Sequence, residues 1–263
     1  MLKNQRHYEI LEILKKESFA EVRTLSQRLY ASHPTIRRDL DYLEKQGYVK
    51  RSHGGAILAD DKINTPISFR KGTKAREKAQ ICKLASTLIK PGSLIFTDAS
   101  TTASHLADYI QPKDNITVVS NGYNICRSLA ENDIRIFSTG GKLMKSSMAF
   151  VGKQAEESVK SFNADYLFFS SSSIDENGAI SDYSEEERSL RVAMYERSAK
   201  SVFLCDSSKF DKTSAFREFT LSDIDYIITD AFIKEDILNK YKLILTVSHD
   251  GVCMYEHNKK CDA

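Results

Sequence analysis

Four short polar stretches carry residue types that could hold a small anion: Asp98-Ala-Ser-Thr-Thr102, Ser120-Asn-Gly122, Thr139-Gly-Gly-Lys142 and Asp206-Ser-Ser-Lys-Phe210. Each follows an apolar run that reads as a β-strand. In open α/β sheets the ligand crevice lies beyond the carboxyl ends of the strands. Asp98, Ser100, Thr101 and Thr102 lead into a helix, whose free N–H groups and positive dipole end suit a phosphate. Asn121 offers an amide, Gly140 and Gly141 let a ligand approach the backbone, and Lys142 and Lys209 offer charge. Singly, each loop is explained as an N-cap, a turn or a solvated lysine. Four of them at one sheet edge imply a shared site for a small anion.

A second chemistry sits near the N-terminus, in Ala31-Ser-His-Pro-Thr-Ile-Arg-Arg-Asp-Leu40. Ser32 can cap a helix and Pro34 is tolerated in its first turn. Ile36, Leu40 and Leu43 recur at i, i+4, i+7 and mark a buried stripe. Roughly opposite lie Pro34, Arg37, Arg38, Asp41 and Lys45. An apolar back with a basic front suits a nucleic-acid groove, where arginine meets phosphates or the acceptor edge of guanine.

The elements around this helix follow the same periodicity. A first helix is predicted over residues 5–16, with Ile10, Ile13 and Leu14 inward. A shorter one runs from Arg23 to Leu29, with Val22, Leu25 and Leu29 apolar. Tyr30 and Ala31 turn the chain into the basic helix, giving a helix-turn-helix over about residues 20–39. Gly47 stops that helix. Tyr48–Arg51 and Ala56–Leu58 read as short strands around Ser52-His-Gly-Gly55, a turn signal. Such a hairpin would be a wing placing Lys50, Arg51 and His53 against the sugar-phosphate backbone.

Residues 1–58 carry 11 Lys and Arg against 7 Asp and Glu, a net +4, and the remainder is −2. A basic small end on a mildly acidic body fits an anionic partner for that end alone. The 263 residues suit two domains of unequal size. The chain has no apolar run long enough for a membrane span and no secretory h-region. Its five cysteines are scattered without a Cys-x-x-Cys pair, as expected of thiols in a reducing cytoplasm. A cytoplasmic location and no cofactor are the expectations.

Residues 59–73, with Asp60-Asp-Lys62 and Asn64-Thr-Pro66, lack periodicity and read as a linker. From residue 74 to about 250, helices alternate with apolar strands. The predicted strands are Ser93–Thr97, Ile116–Ser120, Ile134–Thr139, Tyr166–Ser170, Ser201–Asp206, Tyr226–Asp230 and Leu243–Val247. Lys78, Cys82, Ala85 and Ile89 share one helix face, and Ala103, Leu106, Ala107 and Ile110 another. Ser184-x-x-Glu187 is a capping box. The fold class is therefore α/β with a largely parallel sheet. Residues 251–263 read as a polar, frayed tail.

Over some fifty residues, Thr35-Ile-Arg-Arg-Asp-Leu40, Leu43-Glu44, Gly47 and Arg51-Ser-His-Gly-Gly-Ala56 resemble the N-terminal winged helix of the DeoR family of transcriptional regulators. The resemblance implies a DNA-contacting set of Ser32, His33, Pro34, Thr35, Arg37, Arg38 and Lys45 from the helix, with Lys50, Arg51 and His53 from the wing. The second half resembles the sensor domain of the same family, similar in fold to ribose-5-phosphate isomerase and glucosamine-6-phosphate deaminase. The family's Asp-Ser-Gly-Thr-Thr loop stands here as Asp98–Thr102, its Thr-Asn as Ser120-Asn121 and its Gly-Gly as Gly140-Gly141. Its Asp-x-Ser-Lys-Phe is intact at Asp206–Phe210, and its Thr-Asp at Thr229-Asp230. This chain departs at Ala31 (family valine), at Ser100 (family glycine) and at Ser171-Ser-Ser-Ile-Asp175, where the family often carries a glycine-containing loop. The resemblance implies a homo-oligomeric repressor of sugar metabolism. Its affinity for double-stranded operator DNA would be set by a phosphorylated sugar, release being the usual sense, with Asp175 joining the effector residues.

Two other classes compete. An isomerase or deaminase with an appended DNA-binding head needs a carboxylate base over the substrate carbon. Asp98, Asp175, Glu186 and Asp206 are candidates, each explained equally well by a structural role, so no catalytic residue is expected. Cys253, His257 and Cys261 have an i, i+4, i+8 look, but three ligands do not close a zinc site, and no metal is expected.

Overall fold

A computed structural model describes residues 2–59 and 67–258. Asp60–Pro66 of the expected linker and Cys261 of the expected tail lie outside them. The chain divides into two compact units, residues 1–73 and 74–263.

In the first unit, α1 (Lys3–Glu17), α2 (Val22–Arg28) and α3 (His33–Lys45) pack around Ile10, Leu14, Leu25, Ile36, Leu40 and Leu43. The buried face of α1 is His7, Ile10, Leu11 and Leu14, so Leu11 takes the inward place expected of Ile13, which is half-buried. The wing strands are β2 (Val49–Ser52) and β3 (Gly55–Leu58), antiparallel with Arg51 opposite Ala56. A further strand, β1 (Phe19–Glu21), pairs with β3 and completes a three-stranded sheet. Gly55 is needed there, because a Cβ would lie 2.2 Å from the Ala20 carbonyl oxygen. The expected linker is not all irregular: Ile67–Gly72 forms α4, a short helix ending in a basic turn.

The second unit is built on an eight-stranded sheet. Its six parallel strands are β4 (Leu94–Thr97), β5 (Thr117–Ser120), β6 (Arg135–Ser138), β9 (Ala164–Phe169), β12 (Ser198–Cys205) and β14 (Tyr226–Thr229). Between β6 and β9 runs a hairpin, β7 (Lys142–Met144) and β8 (Ala149–Val151). Between β9 and β14 runs a small antiparallel sheet, β10 (Ser173–Ile174), β11 (Ala179–Asp182) and β13 (Phe216–Thr220). Two antiparallel strands, β15 (Leu243–His249) and β16 (Val252–His257), close one edge. The expected tail is therefore structural through residue 257. β16 lies between β14 and β15, with Val252, Cys253, Met254 and Tyr255 all buried.

Helices cover both faces. α5 (Ala75–Ser86), a 3-10 helix (Ala103–Asp108) and α6 (Tyr123–Glu131) cover one, over Ile95, Val118, Phe168 and Val202. α7 (Lys153–Val159), α8 (Glu185–Tyr195) and α9 (Glu235–Lys240) cover the other, over Phe96, Phe169, Phe203 and Tyr255. The Ala103 helix buries Ala103, Leu106 and Ala107 as the periodicity requires, in the tighter 3-10 winding. At the start of α8, Ser184 Oγ accepts from the Glu187 N–H at 3.2 Å. Among the described residues no helix is long and apolar enough to cross a membrane.

Candidate functional site

α3 presents two faces, and its start is held by its own sequence. Ser32 Oγ accepts from the Thr35 N–H at 3.4 Å and lies 2.9 Å from the Thr35 hydroxyl. Behind, Asp39 is buried and accepts from Arg6 and from His7 Nε2, the latter at 2.8 Å, which fixes α3 against α1. In front, His33, Pro34, Arg37, Arg38, Lys45, Lys50 and His53 are exposed. Arg38 Nε donates to the Pro34 carbonyl at 3.3 Å, which lays the guanidinium along the first turns. Arg51 is differently placed. Its guanidinium pairs with Asp41 and its backbone N–H donates to Glu44 Oε1 at 2.8 Å, so it pins the wing to α3. Tyr30, in the turn before α3, is 96% exposed at φ 48°.

In the second unit the strand order turns at β4. β5 and β6 extend from one side of it, and β9, β12 and β14 from the other. The crevice of such a sheet opens at that switch point, beyond the ends of β4 and β9. There Asp98 Oδ2 accepts from the Ser170 N–H at 3.3 Å, and Asp98 Oδ1 from the Ser100 N–H at 3.2 Å. Ser100 Oγ accepts from the Ala103 N–H at 3.0 Å. Lys209 Nζ donates to Ser170 Oγ and lies 4.0 Å from Asp206. Thr101 and Thr102 are buried. Thr97 Oγ1, Thr102 Oγ1 and Asn121 Oδ1 are buried with no hydrogen-bond partner among the described residues. Buried polar atoms are rarely left so; a hydroxylated, anionic ligand would satisfy them.

Two further lysines converge here from the start of the sensor unit. Lys78, buried on α5, donates from Nζ to Thr101 Oγ1 at 3.1 Å. Lys74 donates to Ser207 Oγ at 2.9 Å and Asp230 Oδ2 at 3.2 Å. Lys78 shares a face with Cys82 and Ala85, and a lysine on an apolar face was the available signal. Burial raises the Asp206 carboxyl, but the charges of Lys209 and Lys78 and the hydrogen bonds from Ser208 outweigh it, so the group sits below its ordinary value. Burial raises the Asp98 carboxyl above its ordinary value despite the opposing charge of Arg191 and the hydrogen bonds from Ser100 and Ser170.

The other nominated residues divide. Asn121 Nδ2 donates to the Phe150 carbonyl at 3.1 Å and anchors β8. Gly140 (φ +64°) faces open space, whereas at Gly141 a Cβ would sit 2.7 Å from the Val151 carbonyl oxygen. Lys142 is exposed on β7. Asp175 closes its own turn, accepting from the Asn177 and Ala179 N–H groups, each at 2.9 Å. It borders a cavity of about 200 Å³ with Ile174, Phe210 and Ile233. Among the described residues no cluster of three His, Cys, Asp or Glu side chains could hold a metal.

A winged helix with a basic reading face, joined in one chain to an α/β unit with a polar crevice at its switch point, defines a DNA-binding transcriptional regulator with a sensor domain. The chain belongs to the DeoR family. Residues 6–62 match the DeoR-like helix-turn-helix domain and residues 73–231 the DeoR C terminal sensor domain. It is 31% identical over 232 residues to the glycerol-3-phosphate regulon repressor of Escherichia coli (strain K12), covering 88% of this chain and 92% of that one. It is 33% identical over 232 residues to the transcriptional repressor AccR of Agrobacterium fabrum, covering 86% and 89%. The structure of ribose 5-phosphate isomerase A from Methanocaldococcus jannaschii aligns with a TM-score of 0.41 at 12% identity, over 73% of this chain and 83% of that one.

Proposed function

We propose that this regulator represses a sugar-metabolism operon and that a phosphorylated sugar, bound at the β4–β9 switch point, sets its operator affinity. α3 enters the major groove, with Arg37, Arg38 and Lys45 toward the DNA and Lys50 and His53 on the flanking backbone. The observation that carries the effector reading is the convergence of Lys78, Lys209 and the Asp98–Thr102 loop at one point of the sheet. Two ammonium groups and two threonine hydroxyls there supply charge and donors for a phosphate. One small reading head binds weakly, so the working form is a homo-oligomer on repeated or palindromic half-sites.

Binding without turnover is the reading the carboxylates favour. Asp98, Asp175 and Asp206 each accept backbone N–H groups within their own loops. Glu186 is exposed in the first turn of α8, where acids offset the helix dipole. None is left poised as a proton-abstracting base.

A thermal-shift screen of the full-length protein over sugar phosphates tests this, followed by gel shifts on DNA upstream of its own gene. The expected hit raises the melting temperature and changes operator affinity, and DNA must change the hit's affinity by the same factor. A panel without a hit would count against the effector, and product formation would overturn binding without turnover.

A further inference from the structure

Nominated Asp98 belongs to a buried charged cluster of the sensor unit whose other members, Arg191, Asp182 and Glu218, were not among the nominated residues. Arg191, on α8, is 5% exposed and reaches three buried carboxylates on three different elements. Nη1 donates to Asp98 Oδ2 at 3.3 Å, Nε to Glu218 Oε2 on β13 at 2.9 Å, and Nη2 to Asp182 Oδ2 at the end of β11. Asp182 is itself anchored, its Oδ1 accepting from Ser172 Oγ at 2.9 Å and from the Tyr183 N–H at 2.6 Å.

Each of the three guanidinium nitrogens of Arg191 already faces a carboxylate, so its part here is to hold these side chains together. Its importance lies in Asp98, whose other oxygen accepts from the Ser100 N–H and so shapes the loop that continues to Thr101 and Thr102. Only a planar fork with donors on three edges serves three carboxylates at once; an ammonium is a point charge on a flexible stem.

We infer that Arg191 is the positioning residue of the effector site, holding the Asp98–Thr102 loop in place by tying Asp98 to the accessory strands β11 and β13. The inference rests on the reading of that loop as the effector loop. Ligand contact at Thr101 and Thr102 is thereby coupled to the β10–β11–β13 sheet, because moving Asp98 breaks the arrangement around Arg191.

Hydrogen exchange on the full-length protein tests this without a ligand. In Arg191→Lys the amides of residues 98–104 should exchange at least tenfold faster, while those of Leu167–Phe169 in β9 keep their wild-type rates. Asp182→Asn, which removes an anchor's charge without touching the loop and preserves side-chain volume, should show the same pattern if Arg191→Lys does not fold. Loop exchange within twofold of wild type in the folded variants would overturn the inference, as would uniform acceleration throughout the sheet. Titration with inorganic phosphate adds a second reading: affinity should fall at least tenfold in both variants, with ligand-free operator affinity within twofold of wild type. Wild-type protein that ignores phosphate and every sugar phosphate would count against the effector reading alone, since the exchange result stands independently.

Discussion

Ser100 is the residue at which this chain departs most tellingly from its family's loop. Its hydroxyl accepts the Ala103 N–H and its own N–H donates to Asp98, so two of the loop's donors are already used inside the protein. A glycine there would release the Ala103 N–H to a ligand at a cost of about a few tenths of a kcal/mol. Ser100→Gly should therefore bind a sugar phosphate severalfold more tightly, with a slightly lower melting temperature; calorimetric titration reads the first and a thermal melt the second. On the DNA side, Arg38 and Arg51 look equivalent in the sequence, yet only Arg38 faces outward without an acidic partner. Arg38→Ala should cost about 1–3 kcal/mol of operator binding with an unchanged melt, as read by gel-shift titration. Lys209→Ala should leave operator binding intact and blunt the response to the effector.

At the scale of elements, α3 is only as well placed as its tie to α1. Burial outweighs the attraction of Asp39 and holds the His7 pKa below the ordinary imidazole value of 6.5. The unfolded chain then takes up a proton that the folded one resists, so stability is complete above about pH 6.5 and declines as pH falls from there through the folded-state pKa. Thermal melts across pH 7 to 5 should show the loss in the wild type and a shallower one in His7→Gln. The last strand is the other instructive element. β16 pairs with both β14 and β15, so ending the chain after Asp250 strips β15 of its only neighbour among the described strands and opens Ile227 and Ile228 to water. That truncation should yield insoluble or unfolded protein, measured by solubility and circular dichroism.

At the scale of the molecule, charge is divided between the two ends of the chain, +4 on residues 1–58 and −2 on the rest. DNA affinity carried by the basic end through several phosphate contacts should fall steeply and log-linearly with salt. A flat salt dependence in gel-shift or anisotropy titrations would show that the α3 and wing cations do not reach the backbone.

The sequence by itself determined the parts that depend on local periodicity and spacing. The Ile36/Leu40/Leu43 stripe, the Ser32 cap, the glycine turn of the wing and the apolar runs of the parallel strands are all short-range patterns. The polar loops after those strands were legible for the same reason. What only the tertiary structure decided depends on which distant segments meet. Arg191 carries no mark in sequence, because its three partners lie 93, 9 and 27 residues away. Lys78 and Lys74 join the crevice only because α5 packs over the sheet beside Thr101 and Asp230. Arg51 is diverted to Asp41 by the curl of the hairpin onto α3. The last strand looked like a tail because strand pairing is non-local: Val252–Tyr255 is an ordinary apolar run until β14 and β15 take it in between them.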